Sequence, residues 1–77
     1  MPNPETTTRL TFAQIGDTGK TLLWTVNSGA VRLGEVRWYA PWRRYCFFPQ
    51  SQTLFDAACM LELIWFIRDR MAERKHT

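Results

Sequence analysis

Apolar and polar positions alternate along the first third of the chain, which is typical of half-buried β-strands. One strand of about six residues begins at Arg9 and places Leu10 and Phe12 on the same side. After a turn that contains two glycines, the run 21–26 keeps its larger apolar side chains on one face: Leu22, Trp24 and Val26. The pattern therefore predicts two strands, with a second turn at 27–29.

The alternation changes phase within the next run, residues 30–39. Its apolar side chains form two pairs of opposite parity, Val31 with Leu33 and Val36 with Trp38. A bulge or bend at Gly34 would return both pairs to the same side of the sheet. The phase change therefore predicts one long strand that is interrupted at its glycine.

A proline marks the end of that strand. Pro41 has no N–H to donate to a neighbouring strand, so we expect a tight corner at 40–41. A fourth strand, 42–48, follows and stops at Pro49. Four consecutive strands joined by short turns predict an antiparallel β-meander.

A helical pattern replaces the alternation after residue 53. Thr53 is the predicted N-cap, and Asp56 three residues later completes a T-x-x-D capping box. Good helix formers, without Gly or Pro, continue to about Glu73 or Arg74. The predicted fold class is α+β, a four-stranded antiparallel meander followed by one long C-terminal helix, in a single domain 9–77 after a disordered tail 1–8.

The predicted helix is apolar around most of its circumference. Its acidic stripe contains only Glu62, Asp69 and Glu73, whereas a sheet covers about one third of a helix surface. The rest of the apolar surface needs another cover, and a chain of 77 residues has little core of its own. We expect a homodimer or higher oligomer through helix residues 54–71; the alternatives are the N-terminal tail or a different partner protein.

Charge and cysteine content narrow the class of protein. The net charge of +3 falls within residues 1–50, and eight of the ten cations are arginine. The two cysteines, Cys46 and Cys59, lack a close spacing, and the polar start has no signal-peptide pattern. The longest apolar stretch, 54–67, is short for a membrane span and contains two acids. We expect a reduced, cytoplasmic protein with an anionic partner and no membrane segment.

The strongest candidate site lies around the predicted corner. Six of the eleven aromatic residues fall within 38–48, interleaved with arginines. Rings that stack on bases and guanidinium groups that hold phosphates are the combination that binds single-stranded nucleic acid or a nucleotide. We expect three or four of the six rings to be structural. The candidate ligand-binding residues are Arg37, Trp38, Tyr39, Trp42, Arg43, Arg44 and Tyr45.

Catalytic and metal-binding patterns are weak. The only histidine, His76, lies at the end of the chain, where it is a poor candidate for a triad or a metal site. Residues 16–21 have too few residues between their glycines for a phosphate-binding loop. Glu35, the carboxylate inside the predicted sheet, is expected to pair with an arginine across two strands. We expect a non-enzymatic protein without metal or cofactor.

The segment 33–49 resembles small tailed-phage and prophage proteins of unknown function. Those proteins share a glycine, a W-x-x-x-W-R-x-Y-x-F-x-P segment that begins here at Trp38, and a helix that opens with a Phe and a Cys, here Phe55 and Cys59. The resemblance covers residues 21–67 and implies a phage origin, hence the host cytoplasm. In element order alone, the chain also resembles the single-stranded-DNA-binding fold of transcriptional coactivators and Whirly proteins.

Two function classes follow. The leading hypothesis is a phage-encoded homodimer that binds single-stranded nucleic acid through a sheet face carrying Arg37, Trp38, Arg43 and Tyr45. The alternative is a counter-defence protein that sequesters a host nucleotide signal or inhibits a host defence protein by direct binding.

Overall fold

The computed structural model describes residues 10–75 and has the predicted fold class. Four strands form one antiparallel sheet in the order β1-β2-β3-β4, and a single helix follows. The predicted tail, residues 1–8, and His76 lie outside the described residues. The elements are β1 Thr11–Asp17, β2 Leu22–Ser28, β3 Val31–Tyr39, a 3-10 turn Ala40–Trp42, β4 Arg44–Pro49 and α1 Ala57–Lys75.

The predicted bulge at Gly34 is confirmed. The pairing of β2 with β3 shifts by one residue at this point, because Val26 faces Gly34 whereas Asn27 faces Arg32. As a result Leu33 and Val36 are both buried, 7% and 0% exposed. One extra residue in β3 has returned the two apolar pairs to the same side of the sheet.

Gly34 is held in place by close backbone packing. A Cβ atom at this position would lie 2.9 Å from the Cα of Pro49 and would collide with the carbonyl oxygen of Phe48. No side chain fits there unless β4 moves, so the bulge requires glycine.

The hydrophobic core lies between α1 and one face of the sheet. Phe66 of α1 stacks on Phe12 of β1, with 4.0 Å between ring centroids, and meets the ring of Trp24 edge-on at 5.1 Å. Val26 and Val36 are fully buried beneath the helix. The buried cluster comprises Leu10, Trp24, Val26, Leu33, Val36, Tyr45, Cys59 and Leu63.

The helix begins three residues later than the sequence indicates, and the predicted N-cap, Thr53, is wrong. Asp56 is the cap, because its Oδ1 accepts a hydrogen bond from the backbone N–H of Cys59 at 2.9 Å. The Thr53 hydroxyl instead donates to the carbonyl of Gln50 at 2.8 Å. Residues 53–56 therefore form a connection without regular secondary structure, in which Leu54 is 93% exposed.

The outward surface of α1 is largely apolar. Glu62, a member of the predicted acidic stripe, is only 9% exposed, and its Oε1 accepts a hydrogen bond from the N–H of Leu10 at 3.2 Å. Met60, Leu61 and Ile64 face outward and are 49%, 43% and 47% exposed. Within residues 10–75, no helix is long and apolar enough to cross a membrane.

Candidate ring and arginine site on the open face of the sheet

The pairing of β3 with β4 separates the aromatic segment into two sides. Trp38 lies opposite Tyr45 and Val36 opposite Phe47, and these pairs face α1. The alternate pairs face the other way, because successive side chains of a strand point to opposite faces. We call that other side, which α1 does not cover, the open face; on β3 and β4 it carries Glu35, Arg37, Tyr39, Arg44, Cys46 and Phe48.

The expectation that Arg37, Trp38, Arg43 and Tyr45 share one sheet face is wrong. Arg37 is on the open face, whereas Trp38 and Tyr45 are on the face that α1 covers. Arg43 lies in neither ladder, because the chain turns at the corner before β4 begins. Neighbours in sequence such as Arg37 and Trp38 alternate sides, so a contiguous cluster cannot form one surface.

Trp38 and Tyr45 belong to the structural part of the cluster. Tyr45 is 4% exposed, and its ring meets that of Trp38 edge-on at 5.3 Å. Its hydroxyl accepts a hydrogen bond from the N–H of Leu22 at 3.2 Å. The guanidinium of Arg74 lies 4.0 Å from the centre of the Trp38 ring and covers it. With Phe47, three of the six rings pack against the core, as the sequence predicted.

The corner 40–43 brings Trp42 to the edge of the open face. Pro41 starts a 3-10 turn, and Arg43 ends it in the left-handed conformation at φ 54°, where its N–H donates to the carbonyls of Tyr39 at 2.9 Å and Ala40 at 3.1 Å. Trp42 and Arg43, predicted as the start of β4, are therefore turn residues. Trp42 remains 64% exposed, and its ring meets the Tyr39 ring edge-on at 5.2 Å.

Phe48 completes the open-face ring cluster and was missed in the sequence. Its ring lies 6.0 Å from that of Tyr39, and the guanidinium of Arg37 sits over it at 3.7 Å. The missed signal was parity, because Phe48 is four residues beyond Arg44 in the same strand. Tyr39, Trp42, Cys46, Phe47 and Phe48 line a shallow cavity of about 280 Å³.

Two arginines contact residues of this ring cluster, Arg37 at Phe48 and Arg44 at Trp42, in different electrostatic settings. Arg37 is 3.6 Å from a carboxylate oxygen of Glu35, which also pairs with Arg32 at 2.7 Å. Both pairs of Glu35 lie within β3, so the predicted cross-strand pairing is wrong. Arg44 has no carboxylate partner among the described residues, and its Nε donates to the carbonyl of Trp42 at 3.2 Å. Arg44 is therefore the cation on this face that is not neutralised by a nearby acid.

A second concave feature lies on the other side of the β4 edge. This groove, about 410 Å³, runs between β4 and the second half of α1. Arg68, which the sequence did not single out, lies on its helical side, and Arg43 and Arg44 lie on the strand side. Arg44 thus lines the groove and also donates to the backbone of Trp42, a residue of the ring cavity. Of the seven predicted site residues, two line the ring cavity (Tyr39 and Trp42), three line the groove (Arg43, Arg44 and Tyr45), and two line neither, namely Arg37 and Trp38.

One curated phage protein is similar to this chain. A protein of Acholeplasma phage L2, described as an uncharacterized 9.3 kDa protein, is 34% identical over 47 residues. The match covers 61% of this chain and 60% of the phage protein. No protein-family model matches, and neither does a solved structure. The similarity supports the predicted relationship to phage proteins of unknown function, while the likeness to single-stranded-DNA-binding folds stays a prediction.

Proposed function

We propose that the protein binds single-stranded nucleic acid on the open face of its sheet, at the ring cluster of Tyr39, Trp42 and Phe48. The observation that carries this proposal is the side on which these rings lie. They are outside the core and contact one another; Arg37 lies over Phe48, and Arg44 donates to the Trp42 carbonyl. The description of the phage relative names no activity, so the proposal depends on the geometry of this face.

The ring geometry suits stacking. Aromatic side chains on an uncovered sheet accept the faces of unpaired bases, whatever the base. Trp42 offers the most exposed ring, at 64%, and Tyr39 supports it edge-on at an interplanar angle of 89°. A cavity of about 280 Å³ lies next to these rings, which is near the lower end of the range for small-molecule pockets, roughly 300 Å³. The exposed rings and the small cavity suit one or two unpaired bases better than a double helix, whose bases are already stacked.

The arginine geometry suits a phosphate backbone. Arg37 is fixed over Phe48 by cation–π contact and by its weak, exposed pair with Glu35. Arg44 uses only its Nε in the described contacts, which leaves its terminal amino groups to donate to an anion. One arginine on each side of the ring cluster can hold successive phosphates while the bases stack.

The proposal is tested by titrating a labelled single-stranded oligonucleotide and following its fluorescence anisotropy. Binding should be measurable at about 50 mM salt, and log Kd should rise with log salt concentration by roughly 0.7 for each phosphate contact. A duplex of the same sequence should bind more weakly because its bases are already stacked. The absence of single-strand binding at that salt concentration would refute the proposal.

A matched set of variants locates the binding surface. Trp42→Leu should weaken binding about tenfold, in line with about 1–3 kcal/mol per stacked base, while Trp42→Phe should retain most of it. Arg44→Ala should also weaken binding and reduce the salt dependence. Lys20→Ala removes one positive charge from the exposed β1–β2 turn, at the opposite edge of the sheet, and should leave the affinity nearly unchanged.

A nucleotide ligand is the second candidate, because the ring cavity could hold one base while Arg44, which donates to the Trp42 carbonyl, holds the phosphate. This role corresponds to sequestration of a host nucleotide signal. A thermal-shift screen separates the two: a nucleotide in large excess over its Kd should raise stability by a few kcal/mol, whereas the oligonucleotide should bind only under the first proposal. An inhibitor of a host protein would bind neither ligand.

A further inference from the structure

The groove between β4 and α1 is lined by arginine side chains that no acid neutralises. Arg43 and Arg44 lie on its strand side and Arg68 on its helix side. All three are exposed, and none of them forms an ion pair within residues 10–75. The described residues that line the groove include no carboxylate. Three guanidinium groups around one concave surface give it a positive potential, which favours an anionic occupant.

A second cationic cavity, of about 220 Å³, differs from the groove in its charges. Lys20, Arg70 and Arg74 line it, but Glu73 lies among them and pairs with Arg70 at 2.6 Å. The guanidinium of Arg74 covers the Trp38 ring and donates to the carbonyl of Lys20 at 2.9 Å. Two of the three cations of this cavity are thus held within the chain. The groove is therefore the better candidate for an anionic ligand.

The lining of the groove between its arginines is apolar. It includes Tyr45, Ile67 and Met71, and the Met71 thioether accepts a hydrogen bond from the N–H of Tyr45 at 3.3 Å. Because this N–H of the edge strand is already bonded, it is not a free donor for an added protein strand. The volume of about 410 Å³ lies within the usual range for organic ligands, roughly 300–1,000 Å³. An apolar lining with cations around it suits a nucleotide unit, which has a ring system and a phosphate.

Arg44 connects the groove with the ring cluster. Its Nε donates to the carbonyl of Trp42 at 3.2 Å, and the same residue lines the groove. Trp42 and Arg44 are two residues apart, so their Cα atoms are separated by at most about 7.6 Å. One strand of a duplex carries a phosphate about every 3.4 Å along its axis. About two or three nucleotides therefore cover the distance from the ring cluster to the groove.

We propose that a single strand bound at the ring cluster continues around the edge of β4, so that its next phosphates lie in the groove between Arg43, Arg44 and Arg68. This inference rests on the proposed function and extends its binding site from the open face to α1. Guanidinium groups can hold phosphate oxygens by paired hydrogen bonds, while the apolar lining accepts a base or a sugar ring. Arg68 is then a nucleic-acid-binding residue, although it lies on the helix.

Substitution of Arg68 tests the path of the strand by fluorescence anisotropy, with an oligonucleotide of about twelve nucleotides, within the site sizes common for single-stranded binding. Arg68→Ala should raise Kd about fivefold and lower the slope of log Kd against log salt by roughly 0.7, the contribution of one phosphate. Arg68→Lys keeps the charge and should keep the slope. Lys20→Ala removes an exposed charge at the opposite edge of the sheet and should change neither quantity. An Arg68→Ala variant with wild-type affinity and slope would overturn the proposal.

Arg43 provides a second variant, on the strand side of the groove. Arg43→Gly removes the charge and suits the left-handed backbone at φ 54°, so the corner should keep its conformation. It should lower the salt slope as Arg68→Ala does, and the double variant should lower it by roughly 1.4, the contribution of two phosphates. An unchanged slope for Arg43→Gly would contradict the passage of the strand across the corner.

Protection of cysteines from alkylation distinguishes failure of this inference from failure of the proposed function. Cys46 lines the ring cavity, and Ala72→Cys places a thiol at an exposed position of the groove. The same oligonucleotide in excess should slow the reaction of both thiols with iodoacetamide, followed by peptide mass spectrometry. Ile15→Cys, a control on β1 at the other edge of the sheet, should remain reactive.

Each result of the alkylation experiment has one meaning. Protection of both thiols supports the continuous path. Protection of Cys46 alone overturns this inference and leaves the open-face site standing, whereas protection of neither thiol refutes the proposed function and the extension with it. Protection of the thiol introduced by Ala72→Cys alone contradicts both. Protection of that thiol by an acidic peptide and not by the oligonucleotide would assign the groove to a protein partner and overturn the proposal.

Discussion

The two faces of the β3–β4 pair use the same kind of side chain for different purposes. On the covered face, Trp38, Tyr45 and Phe47 pack against α1 and the core cluster. On the open face and its corner, Tyr39, Phe48 and Trp42 contact one another and the arginines. Each face thus has three rings, but those of the covered face are packed in the core, whereas those of the open face and its corner are not. The comparison shows that strand parity, rather than aromatic content, divides stability from candidate binding in this segment.

Adjacent phenylalanines provide the sharpest test of that division. Phe47→Ala removes a ring that meets Phe55 edge-on and packs on the core, and it should lower the free energy of unfolding by about 3 kcal/mol. Phe48→Ala removes a ring that faces Arg37 and should cost about 1 kcal/mol. Chemical denaturation of both variants measures the difference. Equal losses would mean that Phe48 contributes to the core as much as Phe47 does, which contradicts the assignment of the two rings to different faces.

Substitution of Gly34 tests whether the bulge, which determines the side chains of β3 that face α1, requires glycine. Gly34→Ala places a methyl group against the backbone of Phe48 and Pro49, so we expect a loss of about 2 kcal/mol from overpacking. A matched substitution, Gly29→Ala, has open space around the added methyl group but a positive φ of 60°, and should cost about 1 kcal/mol. If Gly34→Ala were the milder change, the close approach of β4 at the bulge would not be what selects glycine.

Trp42 should have the smallest effect on stability. Its ring is mostly exposed and contacts Tyr39 alone among the described ring pairs, so Trp42→Ala should change the free energy of unfolding by no more than about 0.5 kcal/mol. The same variant should weaken oligonucleotide binding about tenfold or more. A large loss of stability would place Trp42 with the structural rings and remove the basis of the proposed site.

The sequence contained enough information for the architecture but not for the site. The opposite parities of Leu33 and Val36 were sufficient to place the bulge at Gly34, because burial on one face constrains every residue of a strand. For residues 42–48, each parity contained both rings and a cation, so the pattern did not decide which set faces α1. The corner determines which side chains face α1, because Arg43 takes a left-handed conformation and β4 begins only at Arg44.

The helix shows a second limit of sequence reasoning. Thr53 and Asp56 are both capping residues, and the choice between them depends on the chain's path after β4, where Thr53 is used in a turn with Gln50. Glu62 belongs to the predicted acidic stripe of the helix. It is buried, and the N–H of Leu10, which is distant in sequence, donates a hydrogen bond to its carboxylate. Both corrections come from tertiary contacts that local patterns do not contain.

The indole N–H signals of three tryptophans can show which face of the sheet binds nucleic acid. In a ¹⁵N-labelled sample, Trp24 and Trp38 report on the covered face and Trp42 on the open face. Titration with a single-stranded oligonucleotide should shift or broaden the Trp42 signal while those of Trp24 and Trp38 stay in place. A response of Trp38 without one of Trp42, or no response of any indole, would contradict the assignment of nucleic-acid binding to the open face.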